Sequence, residues 1–444
     1  MIIQRPSYTV PEGEGFTDEQ DIFRRKEFGY SLRSLIENVD GELVIALDAN
    51  WGEGKSTFIQ MWRNEMSHEL PVVVYDAFAN DQSGSAFLSI ASEIYAIADQ
   101  ENAQAKPDVL RRAQAVAKTV LRSSLKIGLR MATAGALDDT TFADLEVDGD
   151  IGDAISEGAD RMIEERISSA KADRKCIQAF KNSLEGMAGE ISESGKLVFV
   201  VDELDRCRPD YALEVLEVIK HFFSVPGVVF ILSVNRSQLE AAIRHRYGSD
   251  VDSNQYLQKF VGLWVGLPDG DLGRLSRREK YISRVLADME FDESFKGSDV
   301  VKRSLSDMAQ HYKMTLREIE RLLTIFAVFF NATGPRKHTE LYELGVVICA
   351  IKAKFPMVFK QIAEDVTFYG DILQQAELES LKSDSWGDRV EGHRLKYILK
   401  LYLMPDDRKY EYIQEHKYVR MEGYLQRDAV AATCRVIESF GRYI

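Results

Sequence analysis

The chain predicts an α/β fold: a parallel sheet with helices on both faces, carrying a helical insertion and a helical C-terminal domain. Three observations lead there. Four short, largely apolar runs occur at 42–47, 71–78, 196–202 and 227–235. Segments of helical period alternate with them, and after Pro268 the pattern is helical to the C-terminus. Strands covered on both faces read as unbroken apolar runs. Their alternation with helices makes a parallel sheet joined by crossovers.

Residues 1–20 are polar and rich in Gly, Pro and Glu, and read as an irregular lead-in. Residues 21–39 place apolar side chains at 22, 28, 32, 35, 36 and 39, a helical spacing. Glu42–Leu47 is the first strand, and Phe58–Trp62 opens a helix. Pro71–Phe78 holds a second strand ending at Asp76, followed by a helix over 86–100. Residues 101–190 form a long, mostly helical insertion, whose acidic, glycine-bearing middle (136–160) predicts a mobile loop. Lys196–Asp202 is the third strand, Leu213–Phe223 a helix, and Gly227–Asn235 the fourth strand. The expected organisation is an α/β core from 21–100 and 191–268, a helical lid over 269–360 and a helical region over 361–444.

At 444 residues there is room for two or three domains. A hydrophobic share of 45% with 29% charged residues suits a globular chain. The net charge of −15 argues against a chain coated in nucleic acid. Cys176, Cys207, Cys349 and Cys434 are scattered, which suits a reducing cytoplasm and offers no metal site. No secretory leader and no long uncharged apolar window is present, so the expected location is cytoplasmic without a membrane span.

The chemistry concentrates in Ala49-Asn50-Trp51-Gly52-Glu53-Gly54-Lys55-Ser56-Thr57, which joins the first strand to its helix. A strand, a glycine-bearing loop ending in Gly-Lys-Ser and a helix make the phosphate-binding unit of a P-loop NTPase. Glycines let consecutive amides turn inward, and the helix N-terminus adds partial positive charge. Lys55 is placed to reach the β- and γ-phosphates, and Ser56 to ligate Mg²⁺. Ala49 stands where glycine is commoner; a small residue still fits. The run Leu197–Asp202 ends in a carboxylate at the C-terminal edge of the sheet, where Mg²⁺ needs an oxygen. Glu203, next in line, is the candidate to activate the attacking water. Asn235 ends the fourth strand and reads either as a contact to the γ-phosphate or water, or as a helix cap. Arg206 and Arg317 are candidate arginine fingers, or surface and ion-paired residues. Asp205 reads best as a structural partner of a neighbouring arginine. Phe23 or Tyr30 could stack on a base, although core packing is the commoner fate of such rings.

These motifs carry a resemblance. Asn-Trp-Gly-Glu-Gly-Lys-Ser (50–56), Asp-Glu-Leu-Asp-Arg-Cys (202–207), Val-Leu-Glu-Val-Ile-Lys (215–220), the run 227–236 and Tyr-Leu-Gln-Lys-Phe (256–260) look like the KAP P-loop NTPases. Leu316–Leu323 is similar to that family's later arginine-containing helix, and Asp76-Ala-Phe78 resembles its motif after the second strand, where tryptophan is usual. The resemblance covers residues 20–360. It implies an additional-strand P-loop fold with a helical C-terminal part, and hydrolysis of ATP or GTP with Mg²⁺ as a conformational switch. Many bacterial members are associated with mobile elements and antiphage defence; some animal members are membrane scaffolds. Carried over by position, Lys55 and Ser56 bind phosphate and Mg²⁺, Asp202 is the Mg²⁺ residue, and Glu203 is the water-activating acid where many members carry aspartate.

Family members often insert transmembrane helices between the two motifs. Here the insertion carries Lys118, Arg122, Lys126 and Arg130, one basic stripe at helical spacing. A charge on every turn makes a bilayer span costly. The stripe suits an anionic lipid surface or a phosphate backbone, but facing water or the acidic loop of its own chain is favoured. The reading is therefore a cytoplasmic Mg²⁺-dependent ATPase acting as a switch, with a homo-oligomer or a partner protein as the expected assembly. Two rivals stand beside it: a nucleotide-binding scaffold with little turnover, and a nucleic-acid-stimulated motor. The tyrosines at 402, 410, 412, 418 and 424 suggest packing or a protein interface.

Overall fold

The structure is a computed structural model. It describes residues 1–3, 10–66, 70–82, 85–100, 107–114, 174–192, 194–268, 276–292, 297–334, 339–364, 369–381, 395, 398 and 428–439. The basic stripe at 118–130, the loop expected at 136–160 and the tyrosines of 402–424 lie outside the described residues.

Five parallel strands form one sheet: β1 (Leu43–Asp48), β2 (Val72–Asp76), β3 (Leu197–Asp202), β4 (Val228–Val234) and β5 (Leu263–Gly266), in the order β2-β3-β4-β1-β5. All four expected strands are present. The fifth, Leu-Trp-Val-Gly, is missing from the sequence reading because four residues give too short an apolar run to register. The additional strand implied by the family resemblance is β4, which lies between β1 and β3.

Alternation along the strands divides the sheet's two cores. Ile45 and Leu47 of β1 join Val198, Val200, Val229 and Ile231 on one face. There they meet α1 (Lys26–Glu37), α2 (Lys55–Met66) and the lead-in residues Val10 and Phe16. Val44 and Ala46 join Phe199, Val201 and Phe230 on the other face, under α3 (Ala86–Gln100), α4 (107–114), α5 (174–191), α6 (Pro209–Val218), α7 (Arg236–Tyr247) and α8 (Ser253–Leu257). The helix expected at 213–223 begins four residues earlier, with a proline in its first turn, and ends in a π-helical turn over Ile219–Phe223. Residues 10–20 carry no helix or strand but are anchored: Asn64 Nδ2 donates to the carbonyls of Pro11 (3.0 Å) and Glu14 (2.9 Å). The Trp62 indole donates to the Gly29 carbonyl at 2.9 Å, and a Cβ at Gly29 would meet that ring at the same distance. The glycine admits the ring at a helix-propensity cost of about 1 kcal/mol.

A third core belongs to the helices after the sheet: α9 (Arg277–Asp288), α10 (Ser298–His311), α11 (Leu316–Thr333), α12 (Thr339–Lys354) and α13 (Pro356–Ala363). Phe23 is buried in it, ahead of α1: the helix expected from residue 21 begins at Lys26. The residues before α1 thus touch both the sheet module and the helical module. Among the described residues, no helix is long and apolar enough to cross a membrane.

Candidate nucleotide site

β1 ends where the loop begins, and the Ala49 amide donates to the carbonyl of Val234 on β4. Gly52 and Gly54 take φ of +76° and +82°, so the loop doubles back before α2 starts at Lys55. The first amides of a helix have no intrahelical acceptor, and here they face a cleft of about 630 Å³. That volume suits a nucleotide-sized ligand. Asn50, Trp51, Gly52, Gly54, Lys55, Ser56 and Thr57 line it, together with Asp202, Glu203, Arg206 and Arg317. Ala49 and Glu53, also expected in the phosphate loop, are not among the lining residues.

The Lys55 ammonium donates to the carbonyls of Ala49 and Asn50, holding it over the loop. Burial lowers its pKa, opposed by the charges of Asp205, Asp202 and Asp48. A phosphate chain would supply a further anionic partner for this desolvated cation. Glu53 turns its carboxylate to Arg277, the first residue of α9, and so away from an anionic ligand. Its carbonyl accepts from both terminal nitrogens of buried Arg25, at 3.2 and 3.3 Å. Arg25 and Arg277 brace the loop from the lead-in and from the helical module. Neither stood out in the sequence, because a bracing arginine carries no local motif.

Asp202 ends β3 beside Asp76 and Ser233 in register. One oxygen accepts the Glu203 amide at 2.9 Å. Ser56 and Asp202 line the same cleft and offer hard oxygens. Mg²⁺ takes one or two protein oxygens plus phosphates and water, so this donor set fits it. When bound, the cation would offset phosphate charge. Among the described residues no group of three or more His, Cys, Asp or Glu is gathered for a metal.

Glu203 has a left-handed backbone, φ 58°, which costs an L-residue about 1–3 kcal/mol. This turn leaves β3 with the carboxylate lining the cleft, 2.8 Å from Arg206 Nη1. Burial raises the Glu203 pKa above the ordinary value; Arg206 and Arg317 oppose this, while Asp202 and Asp76 reinforce it. A carboxylate so raised is the better proton acceptor. Arg206→Ala should therefore move the acidic limb of the hydrolysis pH profile to higher pH, because the cation that favours ionised Glu203 is gone. A limb that stays in place, measured by phosphate release, would separate the pair from the chemistry.

Asn235 takes the capping option. Its side-chain oxygen accepts from Ser237 Oγ (2.7 Å) and the Gln238 amide (3.4 Å) at the start of α7, and its side chain is not among those lining the cleft. Its amide group faces Asn50 Oδ1 at 3.4 Å. Among the described residues, Asp205 makes no ion pair with an arginine. Its carboxylate accepts the Trp51 indole and the Asn235 amide, tying the loop to β4. Tyr30 is exposed and donates to Glu65, whereas Phe23 lines the cleft.

Arg317 is the second residue of α11, and its neighbour's amide, Leu316 N, donates to the Gly52 carbonyl at 3.1 Å. A Cβ at Gly52 would come within 2.8 Å of Arg317 Cβ, so glycine is needed there for close approach as well as for its φ. A capping box fixes this end of α11, with Thr315 and Glu318 exchanging bonds.

The model of the KAP family P-loop domain matches residues 25–332. No curated protein matches the chain. Two solved structures of the Aeropyrum pernix ORC2 protein are similar. The one in ADPNP–ADP complexes has 12% identity, covering 97% of this chain and 96% of that chain, with a TM-score of 0.37. The ADP form has 11% identity, covering 98% and 96%, with a TM-score of 0.35. The family match spans the phosphate loop, the Asp202 strand and the helix bearing Arg317, and the chain belongs to the KAP family of P-loop NTPases.

Proposed function

We propose that this chain is a Mg²⁺-dependent nucleoside triphosphatase that hydrolyses ATP, with GTP as the alternative, and works as a conformational switch. One observation carries the switch: the N-terminus of α11 is bonded to the phosphate loop itself, Leu316 N–H to Gly52 O. A γ-phosphate arriving beside Gly52 meets the Arg317 guanidinium, and its departure removes that attraction. The differential contact with two nucleotide states is what shifts a conformational equilibrium. Asp202 and Ser56 support the Mg²⁺ role, and Glu203 supports turnover over passive holding.

Hydrogen exchange at α11 tests this. Its first-turn amides should be more protected with ATP, in a hydrolysis-blocked protein, than with ADP. Leu316→Pro sharpens the test. Proline suits the first helical position, and Thr315 already has extended backbone (φ −69°, ψ 162°), so the substitution deletes the amide donor and keeps the helix start. The ATP–ADP difference should shrink in that variant. Identical protection in all nucleotide states would leave a hydrolase without a switch.

A further inference from the structure

The cleft extends beyond the phosphate machinery, and its far part has a different chemistry. Gln20, Ile22 and Phe23, ahead of α1, form one wall, Met61 on α2 a second, and Tyr281 of α9 with Glu320 of α11 a third. Met61 lies six residues along the helix from Lys55, about 9 Å at 1.5 Å per residue. This part stands one nucleoside length from the loop.

Glu320 is out of place in an anion site. A carboxylate repels a polyphosphate, and partial burial strengthens the repulsion. It follows Arg317 by one helical turn, and the Tyr281 hydroxyl donates to its Oε1 at 2.5 Å. Tyr281 is buried, and its ring lies 6.1 Å from that of Phe23. The carboxylate is therefore steered by a fixed neighbour rather than swinging in water. An ionised carboxylate accepts about four hydrogen bonds and donates none. What it can recognise in the cleft is a hydrogen-bond donor, which the polyphosphate does not supply and the nucleoside does.

We propose that Glu320, oriented by Tyr281, accepts hydrogen bonds from the nucleoside of the bound nucleotide, seating the sugar and base between the lead-in and helices α9 and α11. This rests on the phosphate-loop reading and extends it. The donors are the ribose hydroxyls or a base amino group, a chemistry that both share. The nucleoside thereby adds a further link between the sheet module and the helical module, beside the Leu316–Gly52 bond and the Arg277–Glu53 ion pair.

Calorimetry with the full chain and Mg²⁺ separates the possibilities, using ADP, 2′-deoxyADP, inosine diphosphate and pyrophosphate. Glu320→Gln should weaken ADP about tenfold, the effect of one bond to a charged acceptor, and leave pyrophosphate within about twofold. Tyr281→Phe should act in the same direction and less. Loss of discrimination against 2′-deoxyADP in Glu320→Gln assigns the ribose; loss against inosine diphosphate assigns the base amino group. Equal losses for ADP and pyrophosphate, or none for either, overturn the assignment. A wild-type protein that binds neither ligand overturns the phosphate-loop reading as well. Melting curves of both variants without ligand report whether folding is intact.

Discussion

Lys55→Met is expected to abolish nucleotide-induced stabilisation while leaving the ligand-free protein folded. The two effects separate because Lys55 plays different parts in the two states. In the ligand-free fold its ammonium is buried and donates to the carbonyls of Ala49 and Asn50. Burial lowers its pKa, which means that the charged form is disfavoured there. By the sign of that shift, removing the charge relieves a cost at neutral pH, which offsets the lost carbonyl bonds. The melting temperature without nucleotide should stay within a few degrees of wild type. With polyphosphate bound, the same ammonium is a charge-assisted donor in a desolvated site. Truncating such a partner costs about 2–5 kcal/mol. ATP at 100 times its Kd stabilises a folded protein by about 2.7 kcal/mol, a rise that scanning calorimetry detects. The wild-type protein should show it and Lys55→Met should not. A variant that still rises with ATP would mean that nucleotide binds elsewhere.

The parts of the site legible in the sequence are those where function imposes a local pattern. A phosphate loop needs glycines, a lysine and a hydroxyl in fixed sequence between a strand and a helix. Residues 50–52 and 54–57 line the cleft together with Asp202 and Glu203 at the end of β3, while Ala49 and Glu53 do not. The rest of the cleft is assembled from distant segments. Arg25 reaches Glu53, 28 residues away, and Tyr281 reaches Glu320 across 39. No periodicity records such pairings, which are set when the helical module docks on the sheet. Asn235 shows the converse. Its position at a strand end suits phosphate contact and helix capping equally, and Ser237 and Gln238 engage its oxygen for the cap. The lead-in is a third case. Its polar, glycine-bearing composition says nothing of Phe16, which packs under the sheet, and the helical spacing read from residue 21 does not reveal that Phe23, before α1, is buried in the helical module.

Glu203→Gln is expected to lower kcat about 10²- to 10⁴-fold, the usual range for a positioned general base, with nucleotide affinity retained or increased. The geometry sets both halves of that expectation. Glu203 touches the cleft from a left-handed turn, a conformation that glutamate holds only against strain. Glutamine has nearly the same shape and keeps a neutral partner for Arg206, so the turn and the phosphate loop should survive. What it lacks is a lone pair basic enough to take a proton from water. It also removes one negative charge from a cleft that already holds Asp202, so a triphosphate should bind at least as well. Phosphate release and ATP calorimetry on the same preparation read the two effects independently. A strong loss of kcat with intact binding identifies a hydrolase whose ATP state can be trapped. A rate within about threefold of wild type would leave Glu203 a structural residue and favour a nucleotide-holding scaffold. In that case the raised pKa reports only its burial among Asp202 and Asp76.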